Sequence, residues 1–331
     1  MEEAFLTIVI KAVIFVFIVL TAFAYTMLLE RKLLGRMQGR IGPNRAGPFG
    51  MMQPAADVVK MLFKEDFTPA AANRVVFQIA PVIAVMAPIT TLVLIPYGGT
   101  ATVFGHDITL YGTDLNVGLL FAFAMAAMGH YGLMLGGYAS GNKYGLIGGA
   151  RTAAQLVSYE VSMALSVVGV IMLSESLSLV DIVKAQQDTA WFIVFQPIGF
   201  IVFFITGIAE TNRTPFDLPE AESELVAGYA TEYGGTKYAG FAMAEYLNMI
   251  VVSALTVTLF LGGYSGPWLP EPLWFAIKVF IMILIFIWVR ATMPRLRYDR
   301  LMKLGWKFFL PLATLNLLVT AVVVGLGFAH K

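Results

Sequence analysis

Six acidic residues crowd one short stretch of an otherwise apolar chain. Glu210, Asp217, Glu220, Glu222, Glu224 and Glu232 stand there against only Arg213 and Lys237. Glu160 and Glu245 lie within apolar runs, where a carboxylate is costly and marks a functional position by default. Carboxylates brought together in a poor dielectric raise one another's pKa and titrate jointly, which suits the handling of protons. Glu220 and Glu224 are four apart, so any helix there would set both on one face. Pro215-Phe216 and Leu218-Pro219 break the acids with stiff, apolar residues, as in a packed segment; a solvated acidic loop is the plainer alternative. His130 also falls in an apolar run, where a lone histidine is more often a packing residue than a functional one.

A second stretch has the opposite charge. Glu30-Arg31-Lys32 opens a run that continues through Arg36, Arg40 and Arg45, with the turn-formers Gly42-Pro43-Asn44 and Gly47-Pro48. From Gly50 to Glu65 the pattern changes. Ala55, Val58, Val59, Leu62 and Phe63 recur at helical spacing, with Asp57, Lys60 and Lys64 on another face. At about 15 residues this is too short to span a bilayer, so it predicts an interfacial or packed amphipathic helix. Binding of anionic lipid head groups by the basic connection is the plainer reading.

The elements that position these residues follow from composition. The chain has 331 residues, of which 58% are apolar and 13% charged, against about 45–50% and about 25% in a soluble domain. Mean hydropathy is +0.77. Too few charges remain to cover a soluble surface, which excludes a soluble enzyme, a disordered chain and a basic nucleic-acid binder. Cysteine is absent, which removes disulfides, thiolate metal sites and iron–sulfur clusters held by this chain.

A spanning helix needs about 20 apolar residues. Seven runs approach this, at 4–29, 75–96, 115–138, 153–173, 191–209, 239–262 and 308–329, and an eighth at 273–289 is shorter but intensely apolar. These windows hold four charges: Lys11, Glu160, Glu245 and Lys278. Lys11 and Lys278 sit near the ends of their runs and can snorkel to the interface. The first run is too long for a signal peptide and ends in a charged stop, so it predicts a retained anchor span. Prolines 81, 88 and 96 predict kinks rather than breaks. The connections after the odd-numbered runs carry 18 Lys and Arg residues, the even ones and the tails 2. Odd connections are therefore cytoplasmic and both termini face the other side. The fold class predicted is a single all-α polytopic membrane domain over 1–331, with eight spans and one interfacial helix. On this count Glu160 lies roughly 10 Å and Glu245 roughly 9 Å below the cytoplasmic face, with His130 roughly 12 Å down and Glu210 at the end of its run.

Two functions compete on chemistry alone: an ion transporter with a carboxylate relay, or a membrane subunit of a redox complex that carries no redox centre. No internal repeat supports an inverted-repeat transporter. No phosphate loop, dinucleotide fingerprint or metal-ligand spacing supplies a driving reaction.

Two long motifs carry a resemblance. Gly50-Met-Met-Gln53-Pro-Ala-Ala-Asp57-Val-Val-Lys60-Met-Leu-Phe-Lys64-Glu65 and Pro215-Phe-Asp217-Leu-Pro-Glu220-Ala-Glu222-Ser-Glu224-Leu-Val-Ala-Gly228 resemble the two signatures of the heel subunit of respiratory complex I. This family comprises the H-type membrane protein of bacterial NADH:quinone oxidoreductase and its mitochondrial counterpart, NADH dehydrogenase subunit 1. The Gly42-Pro-Asn44-Arg45 turn and Arg295-Leu-Arg297-Tyr-Asp299 are similar too. The resemblance implies a multi-pass protein of the bacterial plasma (inner) membrane that forms a quinone access channel where peripheral and membrane arms meet. It implies that Glu30, Arg31, Arg36, Asp57, Phe216 and Asp217 lie along the quinone path. It implies a proton relay of Glu160, Glu210, Glu220, Glu222, Glu224 and Glu245. The substrate implied is a quinone, ubiquinone or menaquinone, with no cofactor or metal bound by this chain alone. The partners implied are the peripheral-arm subunits of the quinone site, the neighbouring membrane subunits and membrane lipid, and no nucleic acid. His130 belongs to neither motif. The membrane subunit of a related membrane-bound hydrogenase-type complex shares the architecture, and a stand-alone relay transporter is the other alternative.

Overall fold

The computed structural model describes residues 5–103 and 106–326, except the side chains of 5–8, 101–103, 106–108, 222 and 223. The expected tips of the first and last spans, residue 4 and residues 327–329, lie outside the described residues.

Helix α1 (Phe5–Met37) does not stop at its charged triplet but carries Glu30, Arg31 and Arg36 through its last turns. The interfacial helix α2 (Gln53–Phe63) forms with Pro54 in its first turn, where no N–H is needed. Asn73 caps α3 (Arg74–Leu94) by accepting the Val76 N–H at 3.3 Å, and the helix continues through Pro81 and Pro88. A small antiparallel hairpin follows, β1 (Thr100–Val103) against β2 (His106–Thr109), with Thr100 opposite Thr109. It is an addition to the all-α expectation. Next come α4 (Gly118–Ala139) and α5 (Lys143–Ser174), the latter capped by Asn142 and starting ahead of the apolar run at 153.

The connection after α5 contains a further helix, α6 (Leu179–Asp188), capped by Ser178, whose Leu179, Val180, Ile182 and Val183 are buried. The run at 191–209 is where the structure departs most from expectation. It splits into α7 (Phe192–Phe195) and α8 (Pro197–Glu210), because Gln196 takes φ −127° and ψ 52° ahead of Pro197. Proline sterically disfavours a helical residue before it. The acidic connection holds only α9 (Glu222–Leu225) and a 3-10 turn at Gly228–Ala230. Then follow α10 (Gly235–Phe260), α11 (Glu271–Thr292), α12 (Tyr298–Leu304), a π turn at Gly305–Phe309 and α13 (Leu310–Gly325).

Among the described residues, seven helical stretches are long and apolar enough to cross a bilayer: Val9–Met37, α3, α4, α5, α10, α11 and the continuous Tyr298–Gly325. The apolar α8, with 14 residues, is shorter. Helix α10 is the centre, buried almost throughout from Leu247 to Phe260, with α1, α3, α8 and α11 packed on it. Lipid gives apolar side chains little reason to associate, so close backbone approach must hold such helices together. At Gly132 on α4, any Cβ would stand 2.7 Å from the Ala84 nitrogen of α3.

Lys278 corrects the snorkelling expectation. Its ammonium is buried and donates to the carbonyls of Leu261 at 2.7 Å, Gly263 at 2.9 Å and Ser265 at 2.7 Å, 4.5 Å from the Trp191 ring centroid. Gly262 and Gly263, at φ +72° and +53°, turn the chain after α10 so that its free carbonyls converge on one cation. The lysine thus caps α10 instead of reaching for water. Lys278→Met removes the donor from three carbonyls and is expected to destabilise the protein by about 1–3 kcal/mol. A thermal-unfolding midpoint in detergent equal to that of the wild type would refute this cap.

Candidate functional site

The site is built around one buried guanidinium. Arg213, just past α8, donates through Nη1 to Glu30 of α1, and its Nε lies 2.8 Å from Glu245 Oε1 of α10. Its plane covers the Tyr246 ring at 4.1 Å. Arg290 of α11 donates to the second oxygen of Glu30. Burial works against the Arg213 charge, but the Glu245 and Glu30 carboxylates more than offset it and hold its pKa above the ordinary value. Two carboxylates and two guanidiniums from α1, α10, α11 and the loop thus interlock in a layer only 3–4% exposed at Glu30 and Arg213.

The acidic loop wraps this knot as a packed segment. Phe216, Leu218, Pro219, Ala221, Leu225 and Tyr229 are buried, and Phe216 packs against Tyr159 of α5, with ring centroids 5.5 Å apart. Gly228, at φ +52°, is held so close to the Pro219 carbonyl that no side chain could be accommodated. Gln155 of α5 clamps the loop start, donating to the carbonyls of Ala209 at 2.7 Å and Phe216 at 3.0 Å and to Asn212 Oδ1 at 3.2 Å.

The acids of the loop have separate fates. Glu220 points inward, and its carboxyl is pushed up to about 8 by burial first, then by the Glu245 and Asp217 carboxylates, against the pull of Arg290 and Arg213. Asp217 is also raised by burial, partly offset by Arg295 and by the Glu220 and Ala221 N–H groups. Glu224 stands at the surface and binds Arg151 at 2.5 Å, with Arg295 at 3.5 Å. The Arg151 hydrogen bond lowers its pKa, against a small contribution from burial. Glu232 accepts from Asn142 at 2.7 Å. Glu222 starts α9, and its side chain is outside those described. Glu220 and Glu224 therefore do not form the like-charged helical pair expected: Ala221, at φ +39°, separates them before the helix begins.

A second constellation adjoins the first. His130 of α4 is buried beside Glu210 at the end of α8, with Nδ1 3.3 Å from Glu210 Oε1 and Nε2 3.1 Å from the Glu210 carbonyl. Glu160 of α5 is within electrostatic reach of both. A cavity of about 10 Å³ adjoins the first group, lined by Glu220, Glu245, Asn248, Tyr229, Thr211 and Asn212 among others. That is room for roughly one water.

The third group lies at the junction of α1 and α2. Asp57 receives Arg31 at 2.7 Å, Lys60 at 3.1 Å and Gln53 at 3.2 Å. Burial raises its carboxyl, but the Lys60 hydrogen bond and the Arg31 charge outweigh that and leave its pKa lowered. Arg36 is exposed in the last turn of α1. No group of three or more His, Asp or Glu that could hold a metal occurs among the described residues.

Known proteins resemble the chain along nearly its whole length. A family model described as NADH dehydrogenase matches residues 10–321. The chain belongs to the NADH dehydrogenase family. It is 51% identical over 314 residues to the first of the H subunits of NADH-quinone oxidoreductase in Geobacter metallireducens, covering 95% of both proteins. It is 50% identical to the H subunit of the NADH-quinone oxidoreductase of Thermomicrobium roseum over 92% of each. The corresponding protein of Deinococcus radiodurans is 49% identical, over 97% of this chain and 84% of the relative.

Within this family member, the residues expected along the quinone path divide. Glu30 joins the buried cluster with Arg213, Asp217 lies within electrostatic reach of Glu220, Arg290 and Arg295, Arg31 and Asp57 pair with each other, and Phe216 packs in the core. Of the expected relay, Glu210, Glu160, Glu220 and Glu245 gather around α8 and the loop, while Glu224 faces outward. From the sequence, Arg213 stands out only as a cation among the loop's acids and Arg290 only as a topology marker, and neither is legible as an organiser of the site. The available signal was a solitary arginine inside an acidic loop. Gln155 was missed because an amide in an apolar run carries no pattern. Truncation of Arg213 to Ala leaves Glu30 and Glu245 without their shared cation, and a cost of about 3–5 kcal/mol is expected. Near-normal yield and melting of R213A protein would refute this keystone role.

Proposed function

We propose that the chain is the quinone-channel subunit of a proton-pumping NADH:quinone oxidoreductase, coupling quinone reduction to proton translocation through a carboxylate relay. It sits in the bacterial inner membrane as one domain of eight spans, α7 and α8 together forming the fifth, with both termini on the non-cytoplasmic side. Its partners are the peripheral-arm subunits that deliver electrons and the neighbouring membrane subunits that receive the signal. The observation that carries this reading is the gathering of ionisable groups around α8 and the loop: Glu30, Arg213 and Glu245 in one cluster, Glu220 and Glu245 on a water-sized cavity, and Glu210, His130 and Glu160 in a second cluster.

Quinone reduction consumes two electrons and two protons, and this chain holds groups for the protons only. A quinone with an isoprenoid tail is too apolar to arrive through water, so access from the bilayer is required. The outer face of α2, with Val58, Val59, Leu62 and Phe63 exposed, suits that approach. Arg31 and Asp57 lie just behind it. Protons drawn toward the reduced head group change the charge beside Asp217 and Glu220. The loop at Thr211–Gly235 is the element that responds. Asn212, Ala221 and Val226 all have positive φ, at 53°, 39° and 66°, and such strain in non-glycine residues accompanies switching segments. Movement there alters the setting of Glu245 and Glu210, and through them the relay.

Glu220 holds a proton until the pH passes about 8. Ionisation above that point sets a charge against Glu245 and Asp217 and removes a carried proton, so coupled pumping should fall as pH rises through about 8. Glu220→Gln and Glu160→Gln should assemble yet pump poorly, and Glu220→Gln should also lose this alkaline limb. Wild-type pumping by both assembled variants would overturn the relay. A photoactivatable quinone analogue should label residues 30–65 and 210–230. Absence of label there would overturn the channel, and purification of the chain alone in active form would favour the transporter.

A further inference from the structure

His130 is surrounded in an unusual way for a packing histidine. Its Nδ1 faces the Ala126 carbonyl at 3.1 Å and Glu210 Oε1 at 3.3 Å, and its Nε2 faces the Glu210 carbonyl at 3.1 Å. Each of these three neighbours is an oxygen. A neutral imidazole has one N–H and one lone pair, so with Glu210 ionised one ring nitrogen would turn its lone pair toward oxygen. Two arrangements ease that conflict. In one, both ring nitrogens carry protons and an imidazolium faces the Glu210 carboxylate. In the other, Nε2–H donates to the Glu210 carbonyl and a protonated Glu210 donates its O–H to Nδ1, which leaves only the Ala126 carbonyl beside a lone pair already engaged.

We infer that His130 and Glu210 share one proton as a unit, so that His130 is a member of the relay and not a packing residue, an inference that rests on the relay proposed for this chain. The two arrangements differ only in whether the proton sits on Nδ1 or on Oε1. Both leave the pair without net charge, which is the condition for keeping ionisable groups in this buried layer. The titratable group in contact with His130 is Glu210 on α8, and Glu160 on α5 is within electrostatic reach of both. A second proton entering the pair makes it positive beside Glu160, and its departure to Glu160 restores neutrality. His130 thus gives the relay a step in which protons pass between carboxylates on different helices through an imidazole.

The test uses the whole complex in native membranes or vesicles. His130→Gln and His130→Asn retain a hydrogen-bonding amide that cannot exchange a ring proton, and Glu160→Gln is the companion. Proton pumping per quinone reduced should fall about ten-fold or more in the His130 variants, with the complex assembled, and likewise in Glu160→Gln. Normal pumping in the His130 variants with loss in Glu160→Gln would overturn the inference and leave the relay standing. Normal pumping in all three would overturn both. Should neither His130 variant assemble, infrared difference spectra of the wild-type complex with ring-labelled histidine decide. Imidazole bands that shift together with a carboxyl band on quinone reduction support the shared proton, and unmoved imidazole bands overturn it.

Discussion

The guanidinium of Arg213 is the constraint from which the packing around the acidic loop follows. An arginine cannot discard its charge as a buried lysine or glutamate can. Placed between helices, it must be met by anions, and it draws Glu30 from α1 and Glu245 from α10. Glu30 then faces two cations, since Arg290 approaches from α11. Four segments distant in the chain are tied by charges that none can withdraw singly. The aromatic face of Tyr246 covers the guanidinium and adds cation–π attraction.

That anchor determines how the loop behaves. The chain leaves α8 under the Gln155 clamp and is pinned at Arg213, while Gly228 locks against Pro219. The carboxylates between these points have unequal access to cations. Glu224 reaches Arg151 at the surface and is held ionised. Glu220 turns inward, where both nearby guanidiniums already serve Glu30 or Glu245, so burial prevails and it keeps its proton near neutral pH. One short acidic sequence therefore yields fixed anions and exchangeable ones according to which arginine each can reach.

These distinctions decide what the sequence could reveal. Hydropathy located every long helix, because the bilayer penalises charge wherever it falls. It placed helix ends poorly, because Glu30, Arg31 and Lys143 find partners or solvent at helical positions and do not stop the backbone. The break at Gln196 follows from Pro197, yet the same residue type leaves α3 unbroken at Pro81 and Pro88. Only the neighbours that satisfy the freed backbone tell the cases apart. Helix α6 escaped notice because its apolar face is short and interleaved with Asp181, Lys184 and Gln186. At the site, residue types were legible and pairings were not. A spacing of four between Glu220 and Glu224 implied one helical face, whereas the backbone at Ala221 sends them in opposite directions. Lys278 showed only a cation near a span end, and the carbonyls that hold it exist only after α10 has been turned by two glycines.

The two constellations differ in the mobility of their charge, and this difference gives the proposed coupling a direction. Toward α1 and α2, carboxylates are matched by guanidiniums or lysine: Asp57 by Arg31 and Lys60, Glu30 by Arg213 and Arg290. Their charges respond to a disturbance by moving, since the arginines cannot titrate. Toward α4 and α5, Glu210 has a histidine in place of an arginine, and Glu160 faces that pair. In the proposed relay, groups there respond by exchanging protons, which needs little movement. Glu220 and Glu245 stand between, coupled electrostatically to the guanidinium knot on one side and lining the small cavity on the other. A displacement beginning in the fixed charges can thus end as a proton transfer in the exchangeable ones.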